Sequence, residues 1–366
     1  MKNEEQDEFW MGRALELAAR GKGRTSPNPA VGAVIVKKGK IIGEGWHKKA
    51  GTAHAEVAAI ESCKGSTKGS TLYVTLEPCN HHGKTPPCVD AILKAGISTV
   101  VIGAKDPSPK PGVKGTARLK KAGVEVRVGA LEEDCQRMIE DFAKHSTTGL
   151  PFVTLKSAIT LDGKIATKSG DSKWISCEKS RKLAHRMRNE RDAVLVGAYT
   201  VIADDPQLTV RYGTPRRNPL RVVVDGSLRI SPESFVVATA KKTPTLVAAT
   251  MKAPSERVEA FTSSGVDVLT ATERGGHVDL RWLMEELGRR NVMSVLLEGG
   301  GRLAGAAMEL GLVDRVIFFV AMKIAGGDNC VVAGQGVNKM ADAWHLKDVV
   351  INIVGDDLMV DALVDK

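Results

Sequence analysis

Thr71-Leu72-Tyr73-Val74-Thr75-Leu76-Glu77-Pro78-Cys79-Asn80-His81-His82-Gly83-Lys84-Thr85-Pro86-Pro87-Cys88-Val89-Asp90-Ala91-Ile92-Leu93-Lys94-Ala95-Gly96 reads as a strand, a polar insertion between two cysteines, and a short helix. The apolar run Thr71 to Leu76 has the make-up of a buried strand. Pro86-Pro87 before Cys88 and Gly96 after the last apolar residues are start and stop signals for a helix. A helix N-terminus favours thiolate over thiol, and thiolate is the form that binds metal. Upstream, His54-Ala55-Glu56 adds an imidazole and a carboxylate. His54, Cys79 and Cys88 are ligand types that Zn²⁺ prefers, and three protein ligands leave the fourth tetrahedral position open to water. An open position implies catalysis, because zinc lowers the pKa of its water to about 7. Glu56, two residues past the histidine, is then the candidate catalytic proton carrier.

The order His-x-Glu, Pro-Cys, Cys matches the zinc nucleobase deaminases, in which the glutamate moves protons and does not ligate. Here eight residues separate Cys79 from Cys88, instead of two. The insertion carries His81, His82 and Lys84, which suit contact with a polar or phosphorylated substrate; His81 or His82 also competes for the fourth ligand position. A lone His-x-Glu recurs by chance in helices, and it is the cysteine pair that gives it meaning.

Thr75 to Cys88, together with Ser26-Pro27-Asn28-Pro29-Ala30-Val31-Gly32, resembles the bifunctional pyrimidine deaminase/reductases of riboflavin biosynthesis. The resemblance runs over nearly the whole chain. It continues through Lys156-Ser157-Ala158, Ser172-Lys173-Trp174-Ile175-Ser176, Arg188, Gly197 to Arg211 and Glu298-Gly299-Gly300-Gly301. It implies an N-terminal cytidine-deaminase-like α/β/α domain at 1–147 and a C-terminal dihydrofolate-reductase-like α/β domain at 148–366. In the first domain the matching substrate contacts are Asn28, His47, His81, Lys84, Asp106 and Ser108. In the second, the resemblance implies NADPH contacts at Ala158, Trp174, Thr200, Asp204 and Gly300, Gly301, Arg302, Leu303, Ala304, Gly305 and Ala306. Substrate contacts fall at Lys156, Ser172, Arg188, Leu208, Arg211 and Glu298. The implied chemistry is zinc-hydroxide deamination of 2,5-diamino-6-ribosylamino-4(3H)-pyrimidinone 5′-phosphate at C2, followed by NADPH reduction of the ribosyl group to ribityl.

Composition frames that reading. At 366 residues the chain holds two domains of ordinary size. Its six cysteines are scattered, and two have a better use than disulfides, which favours a reducing, cytoplasmic setting. The acidic N-terminus is unlike a signal peptide, and no apolar run reaches the length of a membrane span. The formal charge of +9 is spread out, and three tyrosines and seven phenylalanines offer little for stacking bases. Phosphorylated small molecules are therefore the expected acidic partners, rather than nucleic acid or membrane; a homo-oligomer is compatible with all of this.

Apolar periodicity predicts a helix from Asp7 to Arg20, then strands and helices in alternation: Ala33–Val36, His54–Ser62, Leu72–Leu76, Cys88–Ala95, Thr99–Ile102, Gly115–Ala122, Val124–Val128 and a helix from Leu131 to Ala143. The polar stretch Lys144 to Pro151 reads as the linker. A second alternation follows, with strands at Phe152–Lys156, Ala193–Val196, Leu220–Asp225, Thr245–Ala248, Val292–Leu297 and Arg315–Val320, and an antiparallel edge from Val349–Val354 and Leu358–Val360. Glu298 to Ala306 passes from a strand through glycines into a helix, a geometry that lets backbone approach a phosphate, although it is not a G-x-G-x-x-G. Lys156, a charge within an apolar strand, calls for a partner because an unpaired buried ammonium is costly. Arg188 lies in a charged run that composition alone reads as a solvated helix face, Asp204-Asp205-Pro206 reads as a turn, and Trp174 as core. Two other classes compete with a metabolic deaminase. A nucleic-acid base deaminase would need a basic, aromatic accessory surface, and a non-catalytic zinc or nucleotide-binding protein would have no use for Glu56.

Overall fold

The computed structural model describes residues 3–82, 86–109, 114–212 and 217–365. It contains two compact units, Met1–Gly149 and Leu150–Lys366.

In the first unit, α1 (Asn3–Ala19) precedes the hairpin β1 (Gly32–Lys37) and β2 (Lys40–Trp46). There follow α2 (Ala55–Glu61), β3 (Thr71–Leu76), α3 (Cys88–Lys94), β4 (Thr99–Ala104), α4 (Thr116–Lys121), β5 (Glu125–Val128), α5 (Glu132–Met138) and α6 (Glu140–Thr148). The strands form one sheet in the order β2-β1-β3-β4-β5, with β1 antiparallel to both neighbours and β3, β4 and β5 parallel. Successive side chains of a strand leave on opposite faces. Ala33 and Ile35 accordingly pack with Ala55, Ala59, Val89, Ile92 and Leu119 from α2, α3 and α4. Val34 and Val36 pack with Met11, Ala14 and Leu17 of α1 and Cys135 of α5. The unit is thus an α/β/α sandwich, as the resemblance implies.

Three expectations change here. Strand β2 is absent from the periodicity reading because Gly43 and Gly45 break its apolar pattern. Both are there to admit α2: a Cβ on Gly45 would stand 2.3 Å from the Ala59 nitrogen, and one on Gly43 would stand 2.4 Å from the Ala59 oxygen. The stretch taken as a linker from Lys144 is helical through Thr148, because a surface helix tolerates an all-polar face. It stops only at Gly149, whose φ of 75° is the left-handed C-terminal conformation that glycine allows. The helix expected over 131–143 is also divided, with Ile139 between α5 and α6.

The second unit opens with β6 (Phe152–Thr160), α7 (Glu178–Glu190), β7 (Ala193–Gly197), α8 (Ala198–Asp204), β8 (Leu220–Val224), α9 (Phe235–Ala238), β9 (Thr245–Ala249), α10 (Ser255–Ser263) and β10 (Asp267–Thr270). A small hairpin of β11 (Glu273–Arg274) and β12 (His277–Val278) leads to α11 (Leu280–Arg289), β13 (Ser294–Leu297), α12 (Gly301–Glu309), β14 (Arg315–Ala321), β15 (Leu346–Val354) and β16 (Asp357–Val364). The main sheet runs β10-β9-β8-β7-β13-β6-β14-β16-β15. It is parallel from β10 to β14 and closes with the antiparallel β16-β15 edge, as the C-terminal apolar segments suggest. Leu155, Leu195 and Leu297 face the core made with α11 and α12, whereas Val194, Val196 and Leu296 face α7 to α10. Helices on both faces of a parallel sheet place ligand-binding loops at the carboxyl ends of its strands.

Candidate active sites

In the first unit, two helix N-termini meet beyond the end of β3. His54 is the extended N-cap of α2 (φ −71°, ψ 165°), and Cys88 is the first residue of α3 after Pro87. Cys79 lies three residues past β3. His54 Nδ1 is 3.2 Å from Cys88 Sγ and 3.6 Å from Cys79 Sγ, and the Cys88 backbone N–H donates to Cys79 Sγ at 3.4 Å. The three donor atoms lie within 4.8 Å of one another, so one ion can touch all three. Two thiol groups and one imidazole fit a borderline-soft divalent metal, and three such donors fit zinc with an open position. His81 and His82 are exposed and stand apart from this cluster. Hydrogen bonding from Cys88 draws the Cys79 thiol down towards the thiolate against its burial, while the same bond raises Cys88. Glu56 is 4 % exposed, and burial, reinforced by Cys79, lifts its carboxyl to about 6. A carboxyl near neutrality can both take and return a proton.

Around this centre, the Asn28 amide donates to His47 Nε2 at 3.0 Å, and His47 Nδ1–H donates to the Ala53 carbonyl at 3.1 Å. Burial lowers the His47 pKa and keeps it neutral. Its ring meets that of His54 edge-on, with centroids 5.2 Å apart. Asn28 and His47 therefore border the metal cluster. Asp106 and Ser108 form a second group, both buried, with the Ser108 N–H donating to Asp106 Oδ1 at 2.8 Å. Burial raises the Asp106 pKa, and the Ser108 N–H, then the charges of Lys114 and His81, partly offset it. Lys84 lies outside the described residues.

One residue of this site was missed. Glu77 is buried and accepts from the Asp106 N–H (3.3 Å), the Thr116 N–H (3.0 Å) and the Thr116 hydroxyl (2.6 Å). It ties the segment carrying Asp106 to the strand end that carries Cys79. The available signal was a carboxylate between buried Leu76 and Pro78, which needs partners if buried.

The second unit holds a cavity of about 410 Å³ lined by β6, α7, α8 and the strand-to-helix turn before α12. Lys156, Ser172, Arg188, Arg211 and Glu298 line it, as do Ala158, Trp174, Thr200, Asp204 and Gly300. Glu298 accepts from Arg188 Nε (2.6 Å) and Nη2 (2.9 Å) and from Lys156 Nζ (3.3 Å), which is the partner Lys156 required. Burial penalises the Glu298 carboxylate, yet Arg188 and Lys156 outweigh it and hold it at about 2. The Arg188 side chain is only 13 % exposed, so the charged run is not a solvated face at this position. Trp174 is not core: it is 64 % exposed, with the Arg181 guanidinium 4.6 Å from its ring centroid.

Removing one partner of a buried ion pair typically costs about 3–5 kcal/mol, because the remaining charge is stranded. Glu298→Gln should therefore lower the stability of the second unit by about 3 kcal/mol, read as a shift of its urea midpoint at pH 7. The folded pKa lies below the ordinary 4.5, so the carboxylate's contribution is in force above pH 4.5 and disappears as pH falls towards 2. The gap between wild type and variant should close over that window; a gap independent of pH would contradict the charge argument.

Leu208 is buried in the core with Val194 and Val196 and does not line the cavity. Gly301, Arg302, Leu303, Ala304, Gly305 and Ala306 form the first turns of α12, also outside the lining. Gly301 and Gly305 admit a neighbouring segment: a Cβ would come within 2.1 Å of the Cys330 oxygen or 1.9 Å of the Ala333 oxygen. Ala304 is core, while Leu303 and Ala306 pack against it. Arg302 is exposed with its guanidinium 5.6 Å from the Tyr199 ring centroid. Cavity residues that the sequence reading passed over include His185 and Tyr212. His185 stands three residues before Arg188 on one helix, the spacing that puts both on one face.

A zinc-type deaminase centre in one unit and a charged cavity at the strand ends of a parallel-sheet unit fit a two-headed deaminase/reductase. Comparison with known proteins agrees. Residues 4–104 match the cytidine and deoxycytidylate deaminase zinc-binding region, and residues 151–360 match the RibD C-terminal domain. The riboflavin biosynthesis protein RibD of Aquifex aeolicus is 42% identical over 354 residues, covering 97% of each chain. That of Escherichia coli is 40% identical over 368 residues, covering 96% of this chain and 98% of the relative. A solved structure from Thermotoga maritima, described as a diaminohydroxyphosphoribosylaminopyrimidine deaminase/5-amino-6-(5-phosphoribosylamino)uracil reductase, superposes with a TM-score of 0.88 at 39% identity, covering 99% of each chain. The chain belongs to the RibD family of riboflavin biosynthesis proteins, and is a bifunctional enzyme with a deaminase and a reductase half. Among the described residues, no helix is long and apolar enough to cross a membrane.

Proposed function

We propose that the first unit deaminates 2,5-diamino-6-ribosylamino-4(3H)-pyrimidinone 5′-phosphate at C2, and that the second reduces the ribosyl group of 5-amino-6-(5-phosphoribosylamino)uracil to ribityl with NADPH. The observation carrying this reading is the convergence of His54, Cys79 and Cys88 with buried Glu56 beside them. Zinc on those three residues supplies a Lewis acid and makes hydroxide available at neutral pH. Glu56 takes one proton of the attacking water and hands it to the ring nitrogen, then carries the water's second proton to the amino group, which leaves as ammonia. Asn28 and His47 orient the ring, with Asp106, Ser108, His81 and Lys84 as further contacts. The alternatives weaken on particulars: a nucleic-acid deaminase has no use for the second unit's cavity, and a passive zinc site has none for a buried carboxyl next to its ligands.

In the second unit NADPH supplies the hydride when bound, and no side chain needs to carry it. Ala158, Trp174, Thr200, Asp204 and the start of α12 from Gly300 to Ala306 are assigned to the cofactor. Lys156, Ser172, Arg188, Leu208, Arg211 and Glu298 are assigned to the substrate, with Leu208 acting through the backbone it supports. The donor set suits a charged guest: four cationic side chains and two carboxylates line the cavity. Incubating the protein with the diamino substrate, with and without NADPH, and identifying the products by mass tests both assignments. The deaminated ribosyl compound should accumulate without NADPH and the ribityl compound with it.

The residues of the second unit bury their own core, which motivates a further expectation. A fragment from Thr148 onward should fold and bind NADPH without zinc. Titration following energy transfer from the fragment's tryptophans to the nicotinamide should saturate. A folded fragment that gives no saturable signal would remove the cofactor assignment.

A further inference from the structure

Three successive carbonyls in the loop between β6 and α7 each accept from a side-chain cation. Lys323 Nζ donates to the Trp174 carbonyl oxygen at 2.8 Å and to the Ile175 carbonyl oxygen at 3.1 Å. Arg181 of α7 donates through Nη1 to the Ser176 carbonyl oxygen, and its guanidinium also lies over the Trp174 ring. Neighbouring carbonyl oxygens that converge on one point repel each other, and an ammonium between them turns that repulsion into attraction. Hydrogen bonds from a charged donor are about twice as strong as neutral ones. The loop is held in this way although the Trp174 side chain itself stands exposed.

The backbone of Lys323 is anchored to the opposite wall. Strand β14 runs parallel to β6 with Ala321 opposite Thr160, and the Leu161 N–H donates to the Lys323 carbonyl at 2.8 Å. The Asp162 carboxylate accepts from the Ala325 N–H (3.1 Å) and the Gly326 N–H (2.7 Å), which fastens the segment after Lys323 to the end of β6. Strand β6 carries Lys156 and Ala158, and the loop carries Ser172 and Trp174; all four line the cavity. Lys323 does not line it, yet it ties one of these walls to the other. Its effect on a bound ligand therefore passes through the loop.

We propose that Lys323 is a positioning residue of the reductase half, holding the loop of Ser172 and Trp174 in the arrangement that receives NADPH. This rests on reading the cavity as the cofactor site. Without the ammonium the loop samples other arrangements, and the apparent dissociation constant rises as the competent fraction falls. A bound cofactor holds the loop itself, so the rate at saturation changes little. The test uses the full chain as wild type, Lys323→Met and Lys323→Arg. Lys323→Met should bind NADPH about fivefold or more weakly by calorimetric titration, the loss expected for hydrogen bonds to one charged group. Its KM for NADPH should rise in parallel with kcat little changed, and Lys323→Arg, which keeps a cationic donor, should recover most of the loss. A second readout follows the loop without ligand, in protein labelled with 5-fluorotryptophan. The Trp174 fluorine resonance, assigned through Trp174→Phe, should shift and broaden in Lys323→Met, while those of the other four tryptophans stay in place. A Trp174 resonance identical to wild type overturns the proposal, as does unchanged affinity for NADPH. A fall in kcat with KM unchanged also overturns it, by placing Lys323 at the reacting atoms. Movement of all five resonances overturns it too, by making Lys323 a support of the whole fold. Wild type that shows no saturable NADPH binding overturns the cofactor reading of the cavity, and the Trp174 resonance then decides by itself whether Lys323 holds the loop.

Discussion

Glu56→Gln should deaminate at least about 100-fold more slowly than wild type, within the range that general acid–base groups contribute, while retaining its zinc. The amide is nearly isosteric with the carboxyl and sits in the same buried place, but it cannot take a proton from water and return it. Glu56 is not in the cluster of His54, Cys79 and Cys88, so metal content measured by emission spectroscopy should be unchanged. Reduction of pre-deaminated substrate should also continue at the wild-type rate, because the cavity of Lys156, Arg188 and Glu298 belongs to the other unit. The combination separates proton transfer from ligation. Deamination within a few-fold of wild type would mean that another group carries the proton.

The deaminase centre was legible because its signals are local. Ligand type, the proline before Cys88 and the glycine after its helix act within a few residues, and the helix start is where the chain delivers the thiol. The sheet strands were legible from their apolar runs, except β10 and the short β11–β12 hairpin, which the reading passed over, and β2, where Gly43 and Gly45 serve a contact with α2 that lies 10 or more residues away. Polar composition hid the last turns of α6, since Lys144 to Thr148 continues that helix without adding an apolar residue. The reductase cavity was harder still. Lys156 announced itself as a charge in an apolar strand, but its partner Glu298 is 142 residues away. Arg188 and His185 were hidden in a charged run, because composition cannot tell which side of a helix faces a cavity. Glu77 was hidden for a different reason: its partners Asp106 and Thr116 reach it only through tertiary folding.

Cys88→Ser should lose zinc together with deamination, the counterpart to a glutamate variant that loses only the second. Cys88 is fully buried at the first turn of α3, with its sulfur 3.2 Å from His54 Nδ1. A serine hydroxyl in its place is harder and is not ionised at neutral pH, so it is a poor substitute for a thiolate. Losing a partner that merely orients a ligand typically costs about 10–100-fold in metal affinity. Losing the ligand itself should cost more than about 100-fold, enough to leave the variant empty after dialysis against a chelator that wild type survives. The fold should persist, because the apolar packing of Ala33, Ile35, Val74 and Ile92 beneath the site does not depend on the metal. Full zinc content after that dialysis would mean that another residue completes the site, and the assignment of three protein ligands with one open position would fall with it.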